Sequence, residues 1–265
     1  MRATWIILSA VLVFTALPAI AQQQPKAKPQ AAQTQATWFG HAAWVIETPG
    51  GARIAIDPWL TNPKAPKDVK APTQLDAILV THAHSDHVGE AQALSKQTGA
   101  PIYGTHELVG LIGGEKDVGG NIGGTFRVKD ATIHMVEAAH SSGFGDALKT
   151  GLKYGGVAMG YVIQIDGGPT IYHAGDTGLF ASLEYIYSQL KPTVALLPIG
   201  GHFTMGPEDA AAAAKLLKVK TVVPMHYGTF PLLKGTPEQL SAALKKERAA
   251  AKMVAPKPGE TITLK

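Results

Sequence analysis

Four potential metal ligands stand within six residues of this chain, directly after an apolar stretch, residues 75–81, that predicts a buried β-strand. They belong to the segment T-H-A-H-S-D-H. In an extended backbone His82 and His84 point to the same side, and Asp86 and His87 can turn toward the same region. Imidazole and carboxylate are ligands that divalent metals of borderline hardness select. The segment therefore constrains the fold to one that opens a metal site at the carboxyl end of a strand, where loop residues converge.

Three more potential ligands stand at the ends of predicted strands. His140, Asp176 and His226 each follow a stretch with the composition of a strand. A single histidine at such a position is more often structural than a metal ligand. Because the carboxyl ends of neighbouring strands meet at one edge of a sheet, we expect all three side chains to approach the first cluster.

The absence of cysteine restricts the chemistry further. The chain has 265 residues, 0 cysteines and 10 histidines. This excludes disulfides, thiolate nucleophiles and cysteine-ligated zinc or iron–sulfur sites. No G-x-S-x-G motif occurs either, which disfavours a serine hydrolase of the α/β-hydrolase type. A metal in this chain must be held by histidine and carboxylate side chains.

The order of predicted elements indicates an α/β protein of one domain, with helices outside the sheets. Strands are predicted at residues 37–48, 53–58, 75–81, 132–138, 161–165, 170–173, 194–199 and 221–224. Helices are predicted at residues 90–98, 182–190, 207–217 and 236–248. The glycine-rich residues 113–124 predict a loop, which either closes over the site as a flap or is a plain connection. No linker divides residues 36–265, which we expect to form a single domain.

The N-terminal segment predicts export. A positive start at Arg2 precedes an apolar run at residues 4–17, which is too short to span a bilayer comfortably. An A-x-A site then ends at Ala21, so residues 1–21 are predicted to be a cleaved signal peptide, with an uncleaved anchor as the alternative. Residues 22–35 lack periodicity and predict a disordered tether. We therefore expect a periplasmic or secreted protein without stable membrane insertion after cleavage.

Charge excludes two classes of partner. The net charge is +4, but Arg2, Lys26 and Lys28 all precede the predicted domain, whose own charge is nearly balanced. Neither nucleic acid nor an anionic membrane is implied as a partner. The expected partner is a small-molecule substrate, and homo-oligomerisation stays open.

The ligand pattern resembles the metallo-β-lactamase-fold hydrolases. The resemblance rests on T-H-A-H-S-D-H followed in order by His140, Asp176 and His226, and it extends from about Trp38 to the C-terminus. Four other segments resemble a narrower branch, the uncharacterised metal-dependent hydrolases near the ascorbate-phosphate lactonases and the phospholipase-D-type phosphodiesterases. These segments are Gly40-His41-Ala42, Asp57-Pro58, H-A-G-D-T-G at 173–178 and G-P-E-D-A-A at 206–211.

The resemblance implies a four-layer αββα sandwich with two divalent metal ions at the sheet edge. One ion would be held by His82, His84 and His140, and the other by Asp86, His87 and His226. Asp176 would bridge the two ions. Zinc is the expected metal, and manganese, iron and nickel accept the same ligands.

The implied function is a dinuclear metal-dependent hydrolase that uses a metal-bridging hydroxide on a small ester, lactone or phosphodiester. Asp86 is expected to manage a proton beside the hydroxide, and His202 to contact substrate or donate a proton. The alternatives are a mononuclear-iron oxidoreductase of the persulfide-dioxygenase type, a β-lactamase, and a metal-binding protein without chemistry. True β-lactamases of this fold generally lack the bridging carboxylate that Asp176 implies. His41, His173 and Asp57 are either supports of the ligands or ordinary packing residues.

Overall fold

The structure is a computed structural model that describes Met1, residues 33–68 and residues 70–265. The predicted signal peptide, apart from Met1, and most of the predicted tether lie outside the described residues. No helix in the described part of the chain is long and apolar enough to cross a bilayer.

The described residues form sixteen strands and six helices, which are connected by turns and loops. The strands are β1 (Thr34–Trp38), β2 (Trp44–Glu47), β3 (Arg53–Ile56), β4 (Ala77–Leu79), β5 (Ile102–Thr105), β6 (Val118–Gly120), β7 (Thr125–Val128), β8 (Ala131–Glu137), β9 (Gly143–Phe144), β10 (Lys153–Tyr154), β11 (Met159–Ile165), β12 (Thr170–His173), β13 (Val194–Pro198), β14 (Thr221–Met225), β15 (Lys252–Met253) and β16 (Thr261–Leu264). The helices are α1 (Ser85–Val88), α2 (Ala91–Thr98), α3 (His106–Ile112), α4 (Leu183–Leu190), α5 (Pro207–Leu216) and α6 (Pro237–Lys246).

The strands form two seven-stranded mixed sheets and one small hairpin. The first sheet has the order β16-β1-β2-β3-β4-β5-β6, and the second has the order β15-β14-β13-β12-β11-β8-β7. Strands β9 and β10 pair only with each other. In each sheet an antiparallel part joins a parallel part, which begins at the β3–β4 pair in the first sheet and at the β12–β13 pair in the second.

The main core lies between the two sheets. Trp44 and Ile54 of the first sheet pack in one buried cluster with Ile133 and Tyr161 of the second. Two further clusters cover the outer faces, one beneath α2 and α3 and the other beneath α4, α5 and α6. Burial of apolar side chains on both faces of each sheet accounts for the near-continuous apolar strands. The four layers confirm the predicted αββα sandwich of the metallo-β-lactamase fold.

The structure corrects three details of the sequence interpretation. The predicted strand 37–48 is two strands, because the chain turns at Gly40 and His41 and the amide of Phe39 donates to the carbonyl of Ala43 at 2.9 Å. Strand β1 begins at Thr34, two residues before the expected domain start, because Thr34 pairs with Leu264 of β16. The glycine-rich loop 113–124 contains β6, which extends the first sheet beside β5.

Candidate metal centre

All seven predicted ligands lie at one edge of the sandwich, after the carboxyl ends of strands. His82 and His84 follow β4, and the short helix α1 carries Asp86 and His87. The other three ligands follow strands of the second sheet, with His140 after β8, Asp176 after β12 and His226 after β14. The structure therefore brings together residues that are up to 144 positions apart in the chain, as the strand-end pattern predicted.

The first ligand group is made of three histidines. The ligand atoms of His82, His84 and His140 all lie within 4.8 Å of one another. His82 Nε2 and His84 Nδ1 are 2.9 Å apart, so both rings turn toward a common point. His82 is buried, whereas His84 and His140 are half-buried and line an open cavity. This is the group that the resemblance implies for one metal ion.

A fourth side chain lies beside the second ligand group. Asp86, His87 and His226 come together as predicted, and His41 joins them within the same 4.8 Å limit. The sequence alone left two roles for His41, either support of a metal ligand or ordinary packing. Its place beside a predicted ligand depends on a contact across 45 positions, between His41 and Asp86, which no local pattern reveals.

Asp176 lies between the two groups. Its Oδ1 is 3.3 Å from His87 Nε2, and its Oδ2 is 3.1 Å from His226 Nε2 and 3.5 Å from His140 Nε2. It also forms a third group of ligand atoms with His82 and His87. Asp176 therefore touches ligands of both groups, which is the position of a bridging carboxylate.

The unpaired polar atoms of the site fit bound cations. His87 Nε2, Asp176 Oδ1 and both ring nitrogens of His226 are buried without a hydrogen bond among the described residues, because the short contacts with Asp176 lack hydrogen-bond geometry. A buried polar atom left unpaired costs about 1–3 kcal/mol, so it is expected to have a partner in the functional protein. Imidazole nitrogens and carboxylate oxygens that converge in this way suit divalent zinc, manganese, iron or nickel.

Burial and charge set the protonation of the ligands. Burial holds the pKa of His82 well below its usual value, and burial also lowers the pKa of His84 and His140. Burial alone would raise the pKa of Asp176, but the neighbouring His226 and His87 hold it well below the usual range. These shifts favour neutral imidazoles in the first ligand group and an ionised Asp176, which are the forms that bind metal.

Asp57 fixes the orientation of two ligand histidines. Its Oδ2 accepts a hydrogen bond from His87 Nδ1 at 2.7 Å, which leaves His87 Nε2 for a metal. The amide and hydroxyl of Thr81 donate to the same carboxylate at 2.8 and 2.7 Å. Since the Thr81 hydroxyl donates to Asp57, it accepts from His82 Nδ1 at 3.0 Å, and His82 Nε2 is left for the metal. Asp57 is fully buried and has a φ of +45°, so tertiary contacts hold its backbone in a strained region.

His173 supports the loop that carries Asp176. Its Nε2 donates to the carbonyl of Ala42 at 3.1 Å, and its Nδ1 accepts from the amide of Gly175 at 3.2 Å. Both ring nitrogens are thus used by backbone groups. Gly175 has a φ of +60°, and a Cβ there would lie 2.8 Å from the Cβ of Thr81. The glycine before Asp176 therefore allows the second sheet to approach β4 at the site.

An open cavity of about 420 Å³ gives access to the ligands. It is lined by His84, Asp86, His140, Ser141, Asp176, Phe203, His226 and Phe230. Sequence reasoning missed Ser141, Phe203 and Phe230, although each stands within four residues of a predicted site residue. The lining thus combines predicted metal ligands with two aromatic rings, and none of these residues is a lysine or an arginine.

His202 does not line this cavity. It is exposed and lines a neighbouring depression with Glu208 and Lys234, while the adjacent Phe203 faces the metal site. The catalytic role expected of His202 stays a prediction. The glycine-rich loop is not a flap at this cavity in the structure: Ile122 and Gly123 line a separate cavity of about 380 Å³ beside α4.

Comparison with known proteins agrees with this geometry. A family model described as a beta-lactamase superfamily domain matches residues 35–226. A UPF0173 metal-dependent hydrolase of Myxococcus xanthus is 61% identical over 234 residues, which cover 88% of this chain and 84% of the relative. A UPF0173 metal-dependent hydrolase of Cupriavidus necator is 44% identical over 258 residues, which cover 90% of this chain and 88% of the relative.

A solved structure shows the same fold. Igni18, described as a novel metallo hydrolase from Ignicoccus hospitalis, superimposes with a TM-score of 0.76 and 38% sequence identity. The match covers 88% of this chain and 99% of Igni18. With its ligand groups and the family match taken together, the chain belongs to the metallo-β-lactamase superfamily and, within it, to the UPF0173 family of metal-dependent hydrolases.

Proposed function

We propose that this metal-dependent hydrolase is dinuclear and cleaves a small ester, lactone or phosphodiester by attack of water. The observation that carries the proposal is the position of Asp176, whose carboxylate contacts His140 of the first ligand group and His87 and His226 of the second. A carboxylate in contact with both groups can hold two ions at a fixed separation. Two ions held in this way supply an activated water at neutral pH and stabilise charge on the reacting oxygens.

The chain's own residues then have distinct tasks. The two ligand groups hold the ions, while Asp57 and Thr81 keep the rings of His87 and His82 in the orientation that binding requires. Burial alone would raise the pKa of Asp86, but the hydrogen bond from His41 and the neighbouring His87 hold it well below the usual range. Asp86 therefore stays ionised at the edge of the cavity, as a ligand requires. Ser141 also lines the cavity, with its hydroxyl 3.5 Å from His84 Nε2, and it can orient a substrate oxygen.

Charge and shape narrow the substrate class. Phe203 and Phe230 form an apolar wall of the cavity, and Phe230 stacks on Trp59 at 5.9 Å between ring centroids. The two carboxylates, Asp86 and Asp176, offset only half the charge of two divalent ions. The remaining charge of about +2 can attract an anionic substrate group or stabilise a neutral group that becomes anionic as it reacts. Without lysine or arginine in the lining, the cavity favours an ester, lactone or phosphodiester with an apolar part over a doubly charged phosphomonoester.

Both ligand groups are complete, which favours two ions over one. A mononuclear oxidoreductase would leave one of the two groups without a role. The position of Asp176 weighs against a β-lactamase, since those enzymes generally lack a bridging carboxylate. The proposed metals are zinc or manganese, with iron or nickel as alternatives, and elemental analysis of the purified protein would identify them.

A hydrolysis screen tests the proposal. The protein loaded with zinc or manganese is assayed against aryl esters, lactones, thioesters, bis(p-nitrophenyl) phosphate and p-nitrophenyl phosphate. We expect turnover of an ester, lactone or diester and none of the monoester, with two ions per chain. Absence of turnover by a protein with two bound ions would contradict the proposal.

A variant of the apolar wall tests the substrate class. Phe203→Ala should raise KM for aryl substrates while kcat changes less, because Phe203 contacts the flank of the substrate and not its reacting atoms. Phe203 is 49% exposed, so its loss should leave the fold intact. Tyr185→Ala, at an exposed aromatic residue of α4 away from the site, is the matched control.

A further inference from the structure

His41 connects three structural elements that meet at the second ligand group. It is fully buried in the turn between β1 and β2. Its Nε2 lies 3.1 Å from Asp86 Oδ2, and its Nδ1 lies 2.9 Å from the hydroxyl of Thr229. Thr229 follows β14 and stands three residues after the ligand His226. The side chain thus joins the first sheet, helix α1 and the loop of the second sheet.

The hydrogen positions follow from the partners. An ionised carboxylate only accepts hydrogen bonds, so His41 Nε2 must carry the proton that faces Asp86. The neutral ring then presents a bare Nδ1, which accepts from the hydroxyl of Thr229. The other acceptor near that hydroxyl, the carbonyl of Tyr227, lies farther away at 3.5 Å. Thr229 therefore donates a hydrogen bond to His41, and His41 donates one to Asp86.

The backbone of His41 reaches the second group as well. Its carbonyl accepts from the amide of His226 at 2.9 Å and from the indole nitrogen of Trp38 at 3.0 Å. Its φ is +53°, a left-handed conformation that is uncommon outside glycine, and tertiary contacts maintain it. One residue thus holds the side chain of Asp86 and the backbone of His226.

We propose that Thr229 and His41 are positioning residues that orient Asp86 for the metal ion of the second ligand group. The inference rests on the proposed dinuclear function. The hydrogen bond from His41 engages one oxygen of Asp86 and leaves the other for the ion, and the hydroxyl of Thr229 selects the tautomer of His41 that can donate it. Among the described residues no hydrogen bond joins Thr229, His41 or the side chain of Asp86 to the first ligand group, so we expect that group to be little affected.

Thr229→Val is the informative substitution. Valine keeps the shape of threonine and removes the hydroxyl, so His41 loses the donor that selects its tautomer. Loss of such an outer hydrogen bond lowers metal affinity by about 10–100-fold, and we expect that loss at the second group alone. Thr229→Ser retains the hydroxyl and should bind metal as the wild type does. Thr193→Val, at a half-buried threonine whose hydroxyl bonds the carbonyl of Thr170, is the matched control.

The test measures zinc affinity of the metal-free protein against a chromophoric chelator. To separate the two ions, Thr229→Val is combined with His84→Ala, which impairs the first group, and with His226→Ala, which impairs the second. We expect weaker zinc binding only in the His84→Ala background. Unchanged affinity there, or an equal loss in both backgrounds, would overturn the positioning role.

Two controls separate the possible failures. Melting of the metal-free Thr229→Val protein should match that of Thr193→Val, and a large extra loss of stability would show that Thr229 serves folding instead. A wild-type protein that binds a single ion would overturn the dinuclear function itself. Two ions in the wild type together with an unaffected Thr229→Val variant would overturn the positioning role alone.

Discussion

Asp57 accepts a hydrogen bond from His87 at 2.7 Å, and both side chains are fully buried. This contact joins the end of β3 to helix α1 and sets the direction in which His87 Nε2 points. Burial alone would lower the pKa of His87, but Asp176 and Asp57 together raise it well above its usual value. The same carboxylates that stabilise a protonated His87 would stabilise a metal cation bound to its Nε2.

Asp57→Asn should destabilise the protein and weaken metal binding. The carboxylate accepts from His87 Nδ1 and from the amide and hydroxyl of Thr81, and the single oxygen of an amide cannot serve all three donors. We expect a loss of about 2–4 kcal/mol in the free energy of unfolding, measured by denaturant titration. Asp68→Asn, at an exposed aspartate, should be neutral. A loss no larger than that of the control would contradict the role of Asp57.

Asp176→Ala should lose one metal ion and most hydrolytic activity. Its carboxylate contacts ligands of both groups, so its removal breaks two ligand shells at once. We expect activity to fall on the order of 10²-fold or more and elemental analysis to find fewer than two ions. Asp117→Ala at the surface is the control. The wild type should leave nitrocefin essentially intact, and its efficient turnover, or full activity of Asp176→Ala with two ions, would refute this prediction.

Removal of metal should lower the melting temperature. The ligands come from both sheets and from positions 82 to 226, so bound ions tie distant parts of the chain together. A ligand at about 100 times its dissociation constant adds about 2.7 kcal/mol of stability. Calorimetry before and after dialysis against a chelator measures the difference. An identical melting curve after confirmed metal loss would count against the metal centre.

Asp130 should make stability depend on acid pH at a position away from the metal centre. Burial alone would raise its pKa, but hydrogen bonds from the Thr48 hydroxyl at 2.5 Å and the Gly50 amide at 2.7 Å lower it below the usual 3.8. A lowered pKa means that the folded state prefers the ionised form. The stabilisation is therefore complete above the unfolded pKa and disappears as pH falls through the folded value.

Comparison with Asp130→Asn measures this effect. The wild type should be the more stable protein above about pH 4–5, and the difference should shrink as the pH is lowered further. Denaturant titrations of the metal-free proteins between pH 3 and pH 7 measure the difference in the free energy of unfolding. Metal release does not contribute to these measurements. A difference that stays constant over this range, or grows toward acid pH, would exclude the linkage.

The mature protein is predicted to begin at Gln22. The A-x-A site that ends at Ala21 favours removal of residues 1–21 during export. Mass spectrometry of the protein from the native cell envelope should show a chain shortened by these residues. A full-length mass in the membrane fraction would contradict cleavage and support the uncleaved anchor.

Local signals predicted several helices to within one or two residues. Gly99, with a left-handed φ of +73°, ends α2, and Pro207 occupies the first turn of α5. Thr236 and Gln239 form the predicted capping box of α6. Each signal acts through contacts within four residues, so the sequence pattern contains it. Helix α3 was missed although Thr105 caps it by accepting from the amide of Leu108, which is a local signal of the same kind.

Short segments of the sequence were enough to predict the fold class and the seven candidate metal ligands, because strand ends and histidine spacing are local properties. Contacts across the folded domain, and no short segment, bring His41, Thr229 and the two phenylalanines of the cavity to the site. His41 contacts Thr229 across 188 positions of the chain. The position of such a contact depends on how two sheets pack against each other, and the side chains that determine that packing are spread over the whole domain.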